Sequence, residues 1–176
     1  MARRRYFRYY PRTRVAKKKW ASNFKTYYLS SDTSPYVPYQ VLVENKQQDG
    51  APTPTVIKCG NFKVQGDVNL SNVSSFPDVL YMRAFVLFVP EGWNMNLLSD
   101  IPLQHPEWIM SWTVIDLPIA AAQAASGGNK FSFSSRLKRN LNSGDKVVVY
   151  FQSDVLVSPG PTTQINFSAQ YWTCAN

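Results

Sequence analysis

Residues 79–89 read VLYMRAFVLFV and run directly into Pro90-Glu91-Gly92. Eleven residues are too few for a bilayer-spanning helix, which needs about 20 apolar positions. The β-branched and aromatic side chains and the abrupt Pro-Glu-Gly stop favour a buried central strand over a buried helix. Arg83 is the exception inside it and requires a partner or an exposed position.

Working upstream, residues 67–77 (DVNLSNVSSFP) are polar and read as loop or weak edge strand. Residues 56–64 (VIKCGNFKV) form a β-branched run, and Gly60 inside it predicts a bulge or a break. Residues 47–55 (QQDGAPTPT) are loop by their Gly and Pro content, and 37–44 (VPYQVLVE) read as a strand. Downstream, 107–116 (EWIMSWTVID) reads as a strand with Trp108 and Trp112 on one face. Residues 118–128 (PIAAAQAASGG) allow a short helix or a loop. Further strands follow at 130–137 (KFSFSSRL), 146–152 (KVVVYFQ) and 164–174 (QINFSAQYWTC), separated by the turns NSGD and SPGPTT. That gives about seven to eight strands, no long helix and no internal repeat. Many strands joined by Gly/Pro-rich turns of uneven length predict an all-β fold of two packed antiparallel sheets, and favour a jelly roll over a simple meander.

The chain has 176 residues, which predicts one globular unit, and a formal net charge of +8. The charge is unevenly placed. Residues 1–31 hold ten of the 19 basic residues and no acid, a net +10. Residues 32–176 hold nine basic against eleven acidic residues, a net −2. The division expected on this ground is a basic arm over 1–31 and a nearly neutral β domain, the jelly roll, over 32–176. The arm carries Arg3, Arg4, Arg5, Arg8, Arg12, Arg14, Lys17, Lys18, Lys19 and Lys25, with Tyr6, Phe7, Tyr9, Tyr10 and Trp20 among them. Lysine and arginine neutralise phosphates and release their counterions. Aromatic rings stack on unpaired bases for about 1–3 kcal/mol each. The pattern therefore favours binding to single-stranded nucleic acid over a solvated tail. A secretory leader fails because Arg8 and Pro11 interrupt any apolar stretch, and Pro11 also opposes an amphipathic mitochondrial presequence. The clusters Arg3–Arg5 and Lys17–Lys19 also have the composition of a nuclear localisation signal.

Sequence evidence for catalysis is close to absent. The one histidine, His105, lies before Pro106 in a loop-like stretch and reads as a surface or interface residue. No Ser-His-Asp motif, phosphate-cradling glycine loop or spaced metal-ligand set is present, so no catalytic residue, metal ligand or cofactor is assigned. Cys59 and Cys174 are expected to be reduced and buried as small hydrophobes, with a disulfide only if their strands meet.

Three features together resemble the capsid proteins of circovirus-like viruses with circular single-stranded DNA. They are the Arg/Tyr-rich opening MARRRYFRYYPRTR, the run YMRAFVLFVPEG at 81–92, and SRLKRNLNSGD at 135–145 followed by KVVVYFQ. The resemblance implies a viral jelly roll assembling into a small icosahedral (T=1) shell. Its arm would contact a single-stranded DNA genome and carry the nuclear import signal. The implied partners are the genome, further copies of the chain, host nuclear import factors and a host surface receptor, without membrane insertion. The implied locations are the virion and, during assembly, the host nucleus. Arg136, Lys138 and Arg139 form a second basic cluster that reads as a solvated loop or as part of the shell lining. Trp93, Trp108, Trp112 and Trp172 are candidates for interface anchors or for ordinary core. Two further readings share the sequence pattern: the coat of a small RNA or satellite virus, and a non-viral β-sandwich that binds nucleic acid. The −2 body argues against the latter, which should spread basic residues over its folded surface.

Overall fold

The computed structural model describes residues 19–31, 38–46, 56–71, 79–118, 129–153 and 162–175. Its strands are β1 (Ala21–Ser31), β2 (Tyr39–Glu44), β3 (Ile57–Ser71), β4 (Val79–Val89), β5 (Ile109–Pro118), β6 (Asn129–Leu141), β7 (Lys146–Ser153) and β8 (Thr162–Ala175). They form two four-stranded sheets with the orders β1-β8-β3-β6 and β2-β7-β4-β5. All pairings are antiparallel. The pairs β1/β8, β2/β7, β3/β6 and β4/β5 nest inside one another. The described strands thus form one long hairpin wrapped into a sandwich, with β3/β8 and β4/β7 closing each sheet. This is the jelly-roll arrangement that the strand count and uneven turns predict.

The main core lies between the sheets. Phe62, Val64, Val68, Phe133, Ile165 and Phe167 project from the first sheet against Met82, Val86, Ile115, Val147, Val149 and Phe151 from the second. Phe151 is fully buried and touches Phe131 and Phe167 at ring separations of 5.7 and 5.4 Å. A second cluster covers the outer face of the second sheet. A 3-10 segment (Met95–Asp100), the single turn α1 (Ile101–Gln104) and a second 3-10 turn (Pro106–Trp108) connect β4 to β5. Leu98 and Ile101 from this connection cap Phe85, Leu87, Val89, Val148 and Tyr150. Residues 84–89 of β4 and 147–151 of β7 are therefore covered on both faces, and this is why they lack a polar alternation. Arg83 lies at an exposed position of β4, one of the two solutions its charge allows.

Three expectations change. Ala21–Ser31, grouped by charge with the arm, is a full strand at the edge of the first sheet and pairs with β8 from Ala21 to Ser31. Its inward positions are Tyr27 and Leu29, too few and too near Lys25 to stand out as an apolar run. Residues 67–71, read as loop or weak edge strand, continue β3: 67–68 lie between β6 and β8, and 69–71 pair with β8 alone, as an edge. Residues 107–108 belong to a turn, so Trp108 packs into the second cluster while Trp112 on β5 is 58% exposed. The bulge expected at Gly60 is present: both neighbouring strands shift register there, and Asn61 takes φ of 54°. Residues 72–78 and 119–128 lie outside the described residues, as does the choice between helix and loop for the latter.

One edge of the sandwich is stitched by hydroxyls. Ser135 of β6 is buried, donates to the Met110 carbonyl of β5 at 2.7 Å and accepts from the Leu137 amide. Ser111 of β5 donates to the Ser134 carbonyl at 3.0 Å. At one end, the buried Asp145 carboxylate accepts from the Glu91 amide and the Asn142 amide, closing the NSGD turn onto the Pro-Glu-Gly turn. Gly144 there has φ of 83°, and a Cβ would strike the Glu91 side chain.

Candidate nucleic-acid interface

Of the residues assigned to the arm, Arg3, Arg4, Arg5, Tyr6, Arg8, Tyr9, Tyr10, Arg12, Arg14, Lys17 and Lys18 lie outside the described residues. Lys19, Trp20 and Lys25 lie within them. Lys19 is exposed and Trp20 half-buried, immediately before β1. Lys25 is opposite Ala169, which faces the core, so it projects from the exposed rim of the edge strand.

Strand alternation sorts the first sheet into a core face and an outer face. On the outer face, Phe24 aligns with Gln170, then Lys63, then Ser134 across the four strands. The next row is Thr26, Ser168, Gln65 and Ser132, and the one after is Tyr28, Asn166, Asp67 and Lys130. Phe24 is 66% exposed and Tyr28 60%. The row before Phe24 contains Trp172, Gly60 and Lys138. Lys138 places its ammonium 5.3 Å from the centre of the Trp20 ring. A Cβ at Gly60 would meet the Lys138 Cγ at 2.6 Å. Absence of a side chain at Gly60 thus lets the lysine stem lie against β3 on its way toward Trp20. Lys138 is on strand β6, so the solvated-loop reading of the cluster 136–139 is corrected. Arg139 has a separate role: its guanidinium lies 5.5 Å from the Phe88 ring and donates to the Glu107 carbonyl.

The outer face of the first sheet therefore presents lysines 63, 130 and 138 with the rings of Trp20, Phe24, Tyr28 and Trp172. Asp67 is its only acid among the described residues. The polar end forms a hollow of about 840 Å³ around Asp67, Gln65, Asn69, Lys130 and Asn166. Within it the Asp67 carboxylate accepts from the Asn69 and Asn166 amides at 3.1 and 3.2 Å. Phe24, Tyr28, Lys63 and Lys130 escaped the sequence reading. The available signal was the alternation of Phe24, Thr26 and Tyr28 against Tyr27 and Leu29, masked by counting this segment as tail.

Other candidate residues lie elsewhere. His105 stacks on Trp108 with ring centres 4.0 Å apart, and Trp93 meets both edge-on. Its Nδ1 is 3.2 Å from a Glu107 carboxylate oxygen. The Glu107 carboxyl is held below the ordinary range by its own backbone N–H, with His105 and Arg139 adding to the effect. Strands β3 and β8 bring Cys59 and Cys174 one register position apart, yet no disulfide joins these two buried cysteines. Burial pushes the Cys59 thiol up to about 12. Among the described residues no three His, Cys, Asp or Glu side chains gather as a metal site, and no helix is long and apolar enough to cross a membrane.

No family model and no curated protein matches the chain.

Proposed function

We propose that this protein is a viral coat subunit that assembles into a small icosahedral shell and packages single-stranded DNA. The observation that carries this reading is the junction of arm and sheet. Nine of the ten basic residues of the arm precede Trp20, and Trp20 lies under Lys138 on a sheet face rich in exposed rings and lysines. Polyanion bound by the arm continues onto that face without crossing an acidic surface. Aromatic rings among lysines suit unpaired bases, which stack, better than a duplex, whose bases are already stacked. The jelly roll supplies a rigid wall, and its near-neutral body lets copies approach without strong mutual repulsion. Exposed Trp112, Val114 and Tyr81 on the second sheet provide apolar surface of the kind found at subunit interfaces. In this reading Arg3–Arg5 and Lys17–Lys19 also direct nuclear import before assembly.

The test is negative-stain imaging and size-exclusion chromatography of the purified recombinant chain, with and without a single-stranded DNA circle. Closed particles of uniform diameter are expected. Monomers under every salt and nucleic-acid condition overturn the proposal. Nuclease-protected RNA rather than DNA from particles formed in cells transfers it to the RNA-virus reading.

A further inference from the structure

We propose that the hollow around Asp67 reads an unpaired guanine, so that the sheet face selects sequence as well as charge. This rests on the nucleic-acid reading above. A carboxylate on a lysine-rich face works against phosphate binding, so its presence there calls for a donor to receive. Asp67 is flanked by Lys130 on β6 and by Asn166 on β8, its direct cross-strand partners. The amides of Asn69 and Asn166 both donate to Oδ2 and fix the carboxylate in place. These two bonds use about half of its roughly four acceptor sites.

An ionised carboxylate only accepts, so it distinguishes bases by their donors. Guanine alone presents two adjacent donors, N1–H and the N2 amine, on its pairing edge. Cytosine and adenine present one amine beside an acceptor nitrogen. Thymine presents one N–H between two carbonyls that repel the carboxylate. Guanine O6 lies next to N1, where the Lys130 ammonium on the neighbouring strand can donate to it. Tyr28, opposite Asn166 and largely exposed, supplies a stacking plane beside the hollow. The edge being read is occupied in duplex DNA, so the ligand is a guanine in a single strand.

Three fluorescent twelve-nucleotide strands test this with the full-length chain: thymidine only, thymidine alternating with deoxyguanosine, and thymidine alternating with deoxyinosine. Inosine keeps O6 and N1–H and lacks only the N2 amine. The guanine strand is expected to bind roughly tenfold tighter than the inosine strand. Asp67→Asn should abolish that ratio and, by removing a negative charge from the face, tighten rather than weaken binding of the thymidine strand. Equal binding of guanine and inosine strands by the natural chain overturns the inference and leaves the coat-protein reading standing. A preference that survives Asp67→Asn also overturns it. Failure of all three strands to bind overturns the nucleic-acid reading beneath it. Should Asp67→Asn not fold, the guanine-to-inosine ratio of the natural chain still decides.

Discussion

Single residues in this fold carry distinct, separable burdens. Gly144 combines positive φ with the Glu91 side chain standing where a Cβ would go. Gly144→Ala is therefore expected to destabilise by about 1–3 kcal/mol through backbone strain, read as a lower denaturant midpoint with unchanged slope. Phe151 fills the centre of the sandwich between Phe131 and Phe167. Phe151→Ala should cost about 3–5 kcal/mol, the range for emptying a buried aromatic site. Cys59 shows the reverse of reactivity: fully buried, with burial raising its thiol to about 12. At pH 8 neither buried cysteine should react with a thiol reagent until denaturant opens the chain. Labelling of Cys59 in the folded protein would contradict the buried geometry.

Among the elements, β1 matters most because it joins the two halves of the proposed function. Among the described residues it is an edge strand paired with β8 alone, and its outer positions 24 and 28 form part of the candidate interface. A chain shortened by residues 1–18 keeps all of β1 and should remain folded, with weaker nucleic-acid affinity and a flatter salt dependence. A chain shortened by residues 1–25 loses five strand positions and should melt at a lower temperature. Equal melting temperatures for the two would show that the start of β1 adds nothing to stability. The difference between these cuts also marks what the sequence discloses. Stretches covered on both faces, such as 84–89 of β4 and 147–151 of β7, announce themselves as unbroken apolar runs. The turns announce themselves through Gly and Pro. Strand β1 does not, because its outer face is aromatic and polar, its inner face contributes few buried residues, and Lys25 makes it look like tail. The second half of β3 is hidden for a related reason. Asp67 and Asn69 face outward there, while Gly66 takes an inward position that a sequence scan scores as a break. The candidate interface was legible at Lys19 and Trp20, and in part at Lys138, as a basic cluster, and Trp172, as an anchor or core residue. Its remaining members, Phe24 and Tyr28 on β1, Lys63 on β3 and Lys130 on β6, come together only through register.

For the molecule as a whole, stability should fall on the alkaline side. Burial pushes the hydroxyls of Tyr27 and Tyr150 up to about 12, with Tyr171 adding at Tyr27 and Asp100 at Tyr150. The Tyr27 oxygen is buried without a hydrogen-bond partner. Folding favours the neutral forms, so their contribution is intact below pH about 10 and is lost as pH rises towards about 12. Melting temperature should decline across that window, and tyrosinate absorbance from these two rings should appear together with unfolding. Full ionisation near pH 10 in a still-folded chain would contradict this. The nested order of the strands has a further consequence, for synthesis of the chain. Of the described strands, the first to leave the ribosome pairs with the last, Ala21 against Thr173. Neither sheet can be completed until almost every residue has been translated, a matter of roughly ten to forty seconds at ordinary elongation rates. A prematurely terminated chain lacks the partner of its own first strand and cannot present a finished wall. In the proposed coat-protein reading, this connectivity restricts the shell wall to copies that carry β8.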